Sequence, residues 1–299
     1  MFFRVIGDSL RLFNQNIIKF LIIGLIIFAP LVALKAAFYL YTNGIAPYEI
    51  QAAQMQLKEN PQDINAQMAI VQAENKLRSN RYDPMLAQAG SLALFILGIL
   101  AFLLFMGSST LLSNRIFQGE AVSYSEIFKG VVVKLPGLAF LAFLIYYGLF
   151  FRFRPISVFI FGAFGKTTAI FITSILPYLL IFIMVAFFSM SLPVYMLERV
   201  SPWAALKRGF KISYEHQLPM FVLLLIMYLL ITLLTQALLV VGGMVMTNAV
   251  ALLSYSTITN MIVPFVQALP VLVIYLYYRY ILAEKQGVTA KTVDNNLEV

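Results

Sequence analysis

The sequence predicts an all-α integral membrane protein with six transmembrane helices, and three observations carry that expectation. Of 299 residues, 61% are hydrophobic and only 11% charged, with a mean hydropathy of +0.88. A soluble domain has about a quarter of its residues charged and must cover its exterior with polar groups. The apolar residues also fall in long runs, as helices crossing about 30 Å of hydrocarbon require. Finally, Lys and Arg gather at the ends of those runs, more on one side than the other.

The runs are 17–41, 87–114, 135–151, 167–197, 218–246 and 258–283. Arg152 and Arg154 cut the third short, whereas the fourth and fifth are long enough to tilt. The first reads as a permanent helix. It outlasts a signal-peptide core of about 7–15 residues, and Lys35 falls where small residues would mark cleavage. With the N-terminus in the cytoplasm, Lys and Arg divide 13 inside against 7 outside, with Lys35 left within the first span. The positive-inside rule then places both termini in the cytoplasm.

The chain is read as a single membrane domain over 1–299. An extracytoplasmic helical hairpin is inserted at 42–86, and a short polar tail follows at 284–299. In the insertion, Asn60 is expected to cap the second helix and Pro61 to open it. Ile64, Met68 and Val71, then Ile70, Ala73 and Leu77, form an apolar stripe along that helix. A lid or spacer and a partner-binding cap are both compatible with it.

Three stretches, beginning at Val5, Val122 and Val200, share one layout: a basic amphipathic segment, a polar or proline break, then an apolar run. They suggest three repeats of an interfacial amphipathic helix plus a two-span hairpin. In the third, Ser201 fits the N-cap and Pro202 the first helical position. Trp203, Leu206, Phe210 and Tyr214 share one face, while Lys207, Lys211 and Glu215 fall away from it, as in helices lying at a membrane surface. In the second, Ser123 and Glu126 match a capping box. Leu135-Pro136 and Leu218-Pro219 are expected to bend the chain into its spans.

The segment PVYMLERVSPWAALKRGFKIS (Pro193–Ser213) and the Tyr-rich end YLYYRYILAE (Tyr275–Glu284) carry a resemblance. They are similar to motifs in a broad group of bacterial membrane proteins. That group includes uncharacterised six-helix proteins and the membrane domain joined to some glycerophosphodiester phosphodiesterases. The resemblance implies an all-helical domain of the bacterial inner membrane. Gly209 departs from the pattern, which often has Ser there. No phosphodiesterase domain accompanies these motifs, so that activity does not carry over.

The residues offer little chemistry. Without cysteine there are no disulfides or thiolate metal sites. His216 is the sole histidine, too little for a His-based zinc site or a catalytic triad, and it reads as an interfacial residue. HExxH, GxSxG and Walker A sequences are absent. No catalytic residue, cofactor or metal is assigned, and an enzyme is not expected; an intramembrane lipid enzyme would need converging carboxylates that the chain hardly offers. The net charge of +8 suits anionic headgroups better than nucleic acid.

The leading expectation is a non-enzymatic scaffold or accessory module acting on envelope lipids or on a partner protein. Its partners would be anionic phospholipids, with a membrane protein or a second copy also possible. Lys207, Arg208 and Lys211 are the expected headgroup contacts, with Trp203 and Phe210 as apolar anchors. The alternative is a transporter of a lipid or amphipathic anion through a cavity between the repeats. Lys35, Arg152 and Arg154 would then supply the counter-charge; snorkelling is the simpler role for Lys35.

Overall fold

A computed structural model describes residues 2–79, 84–163, 189–245, 249–266 and 268–285. Every regular element among them is a helix. They are α1 (Phe2–Gln15), α2 (Ile17–Asn43), α3 (Ala46–Glu59), α4 (Ile64–Ser79), α5 (Pro84–Phe117) and α6 (Tyr124–Ala163). There follow α7 (Ser191–Leu197), α8 (Pro202–Glu215), α9 (Gln217–Val245), α10 (Ala249–Val266) and α11 (Ala268–Lys285). Four stretches are long and apolar enough to cross a membrane: Ile17–Asn43, Ala87–Phe117, Tyr124–Leu144 and Leu218–Leu238. The chain is a helical membrane protein.

These four correspond to the first, second, third and fifth expected spans. Most of the fourth, 167–197, lies outside the described residues, apart from α7 at its C-terminal end. The sixth, 258–283, straddles the junction between α10 and α11. The third differs in kind. Leu135-Pro136 does not interrupt the helix: α6 runs unbroken through both residues and through the positions of Arg152 and Arg154. Likewise, α9 runs through Leu218-Pro219, its break coming earlier, at His216. Membrane helices tolerate proline because neighbouring groups re-satisfy the freed carbonyl. The other two stretches break at a single residue, Asn16 or His216, and no such turn precedes Pro136.

The chain divides into two compact units. One comprises Met1–Ile17, Leu103–Tyr228 and Ala268–Val299, the other Ile18–Phe102 and Leu229–Gln267. In the second unit, α3 packs between α4 and α10. The α3–α4 contact is made by small side chains, with Ala52, Ala53, Ala66 and Ala73 all buried, and Lys76 pairs with Glu49 at 3.0 Å. The cap differs from expectation. Asn60 ends α3, and α4 starts after Asp63, whose carboxylate accepts from the backbone of Asn65 at 2.9 Å and Ala66 at 3.2 Å. Two residues of the loop therefore separate Pro61 from the helix. Ala66 and Ala73 face inward, so Ile64, Met68 and Val71, on the opposite side of α4, are exposed.

The first unit is built around α11. Positions 271–278 are all buried, and its tyrosines reach different neighbours. Tyr275 donates to Asn114 Oδ1 of α5 at 3.1 Å, and Tyr278 donates to Glu198, which closes α7. Tyr280 donates to Asp8 of α1 at 2.5 Å, and Tyr277 lies edge-on to His216, 6.1 Å between rings. The hydroxyls of Tyr275, Tyr278 and Tyr280 thus each have a partner while the rings fill the core. At the C-terminal end of α5, Gly119 (φ 68°) makes a left-handed stop, with Glu120 N–H bonded to Arg115 O and Gly119 N–H to Ile116 O. That double bond pattern satisfies the last carbonyls of α5 and turns the chain into α6.

Candidate functional site

The α7–α8 corner assembles most of the singled-out residues. Pro193, Val194, Tyr195 and Met196 of α7 are buried. Lys134 of α6 donates to the carbonyls of Tyr195 at 2.9 Å and Met196 at 2.8 Å, and its ammonium lies 5.6 Å from the Tyr195 ring centroid. A cation is well placed on carbonyls that a helix C-terminus leaves without partners. One turn on, Gly137 of α6 makes room for Tyr195, whose hydroxyl would collide with any Cβ there.

The chain then re-enters a helix as expected. Ser201 Oγ accepts from Ala204 N–H at 3.3 Å and Pro202 takes the first turn of α8. Glu198 accepts from Arg208 at 2.6 Å and from Tyr278, so the two resemblance-carrying segments touch at this carboxylate. Gly209 has a physical reason to be glycine. A Cβ there would lie 2.6 Å from Ser191 Cα and 2.5 Å from its Oγ. The backbones of α7 and α8 approach too closely for a side chain.

That approach sets which face of α8 is turned inward. Ala205, Gly209, Ile212 and Ser213 are buried, at spacings that make one helical stripe. The aromatic face lies opposite: Trp203 is 52% exposed, Phe210 41% and Tyr214 59%. Phe210 and Tyr214 stack on each other, and Lys207 sits 5.5 Å from the centroid of the Trp203 ring. Lys207 and Lys211 are exposed on the same side. Arg208 is turned aside, into its ion pair with Glu198. Near the end of α8, Glu215 pairs with Lys285 of α11 at 2.8 Å. The hydrogen bond from Lys285, aided by the charges of Lys285, Lys211 and His216, holds the Glu215 carboxyl below the usual carboxylate range.

The remaining residues are scattered. Lys35 is an exposed side chain on α2. The side chains of Arg152 and Arg154 lie outside the described residues. In the second surface stretch, Glu126, expected in a capping box, pairs with Arg115 at 2.6 Å. Of the polar residues ending the second span, Ser113 and Thr110 bond back to carbonyls of their own helix. Asn114 is bonded across to another helix, accepting from Tyr275 of α11. Among the described residues, no three His, Asp or Glu side chains converge as a metal site would require.

Sequence reasoning missed Lys134, Gly137 and the tyrosines of α11 as the parts that hold the corner together. The signal was present. Tyr275, Tyr277, Tyr278 and Tyr280 are spaced so that no single helix face contains them all, which a one-sided interfacial girdle would require. No family model, characterised protein or solved structure matches this chain.

Proposed function

We propose that this protein is a non-enzymatic module of the bacterial inner membrane that grips anionic lipid through α8 and serves as a scaffold or accessory subunit. In this reading the chain crosses six times, with the described α7 and the α10–α11 pair belonging to the fourth and sixth crossings. Both termini are cytoplasmic, and α8 opens the third of three related units. The observation that carries the reading is the division of α8 into two faces. Small residues pack inward, and the opposite side offers Trp203, Phe210 and Tyr214 with Lys207 and Lys211 beside them. Aromatic rings with polar tips settle at headgroup level, and lysines beside them attract anionic lipid by about 1 kcal/mol each.

Arg208 has a divided role here, because Glu198 already holds it. Lys207 and Lys211 are therefore the principal headgroup contacts. In reconstituted protein, Lys207→Gln and Lys211→Gln should each weaken selectivity for phosphatidylglycerol over phosphatidylcholine about fivefold, the equivalent of about 1 kcal/mol. Arg208→Gln should weaken it less and lower thermal stability instead. Unchanged lipid selectivity in a chain with all three replaced by Gln would end the proposal. The topology is open to a direct test because the chain contains no cysteine. Single cysteines at Gln118 and Val200 should resist an impermeant maleimide applied from outside, and one at Gln62 should react.

A further inference from the structure

α1 and α8 match each other at an offset of 200 positions. Each has 14 residues, and each ends at a one-residue break, Asn16 or His216, before a long apolar helix. Val5, Ser9 and Leu12 are buried on α1, as are Ala205, Gly209 and Ile212 on α8. The register continues beyond the break, where Phe20 and Ile23 are buried like Met220 and Leu223. The outward sides correspond too. Phe3, 84% exposed, and Leu10 hold the places of Trp203 and Phe210, and exposed Arg11 holds that of Lys211.

Both helices are tied to α11 at one level. Tyr280 donates to Asp8 of α1, and Tyr278 to Glu198 just ahead of α8. Two residues of helix amount to about 3 Å of rise and about 200° of rotation. The two attachments therefore lie at nearly the same height and on nearly opposite sides of α11.

We propose that α1 carries a second lipid-facing strip, Phe3, Leu10 and Arg11, which meets the same anionic leaflet as α8. The protein then holds the headgroup plane at two places around one central helix. This inference rests on the reading of α8 given above. Charge argues for lipid as the occupant: the outward strip of α1 pairs apolar side chains with a cation and holds no carboxylate. Asp8, the only acid on α1, is bonded to Tyr280.

Trp203 is the sole tryptophan, so the test needs no foreign probe. Phe3→Trp is introduced into the full chain carrying Trp203→Phe, and Leu10→Trp into the same background as a second reporter in case the first fails to fold. Each is reconstituted into phosphatidylcholine bilayers containing brominated phosphatidylglycerol. The expected result is quenching within about twofold of that seen for native Trp203, falling severalfold when Arg11→Glu is added. If both reporters stay unquenched while native Trp203 is quenched, the α1 strip is wrong and the α8 reading stands. If Trp203 is also unquenched, the underlying reading has failed. Quenching indifferent to Arg11→Glu and equal with brominated phosphatidylcholine would overturn the anionic preference.

Discussion

α8 and α11 are both basic and aromatic, yet they treat their rings in opposite ways. α8 turns Trp203, Phe210 and Tyr214 outward, whereas α11 buries Tyr275, Tyr277 and Tyr278 almost completely. The difference lies in what else each helix carries. Ala205, Gly209 and Ser213 give α8 a stripe small enough to approach α7 closely, and its large side chains are left on the other side. No such stripe runs through the middle of α11. Tyr275, Tyr278 and Tyr280 instead find Asn114, Glu198 and Asp8, so these three hydroxyls enter the core already bonded. Small residues and waiting acceptors, more than aromatic content, decide which rings are buried.

Gly209→Val should produce the largest effect, because it removes the feature that orients α8. The added side chain meets the backbone of Ser191, and overpacking of this kind costs about 1–3 kcal/mol. The thermal midpoint of detergent-solubilised protein should drop by several degrees, and Trp203 emission should shift as α8 lifts. Tyr278→Phe tests the other half of the contrast. Removing a donor from a carboxylate costs about 1–2 kcal/mol, and Tyr280→Phe should behave similarly through Asp8. Trp203→Ala, by contrast, should change stability by no more than about 0.5 kcal/mol while reducing lipid association. A stability loss as large as that of Tyr278→Phe would break the comparison.

Lys134→Met leaves the carbonyls of Tyr195 and Met196 without their cation and should cost about 1 kcal/mol. Double-mutant cycles with Tyr278→Phe would show how far the corner acts as a unit. The smallest effect should come from Glu215 and Lys285. The folded-state pKa of Glu215 is lowered, so its pairing stabilises the protein above the ordinary carboxylate range. That contribution is lost as pH falls through the lowered value. The thermal midpoints of the wild type and Glu215→Gln should therefore differ slightly at neutral pH and converge in acid. The pair is exposed, so added salt should shrink the gap as well.

The helical class and the first, second and fifth spans are legible in the sequence because long apolar runs leave no other option. Ser201 and Pro202 are equally legible, since a cap is a local arrangement. Pro136 misleads because its effect depends on context. Lys134, two residues before it, is bonded to the carbonyls of Tyr195 and Met196 and the helix continues, whereas the related stretches break at Asn16 and His216. Asn60 misleads for a similar reason. Asp63 is a better acceptor three residues later, and only the close packing of Ala66 and Ala73 against α3 decides between them. The α8 face was visible in its spacing, but its anchoring was not. Lys134, Glu198 and Tyr278 come from distant parts of the chain, and pairing them takes a fold.

The position of Trp203 tests the central claim most directly. In bilayers containing phosphatidylglycerol, its emission should be blue-shifted and quenched most by lipids brominated near the headgroup. Lys207→Gln with Lys211→Gln should weaken that quenching severalfold. Emission that remains water-like, open to aqueous iodide and untouched by brominated lipid, would contradict the account.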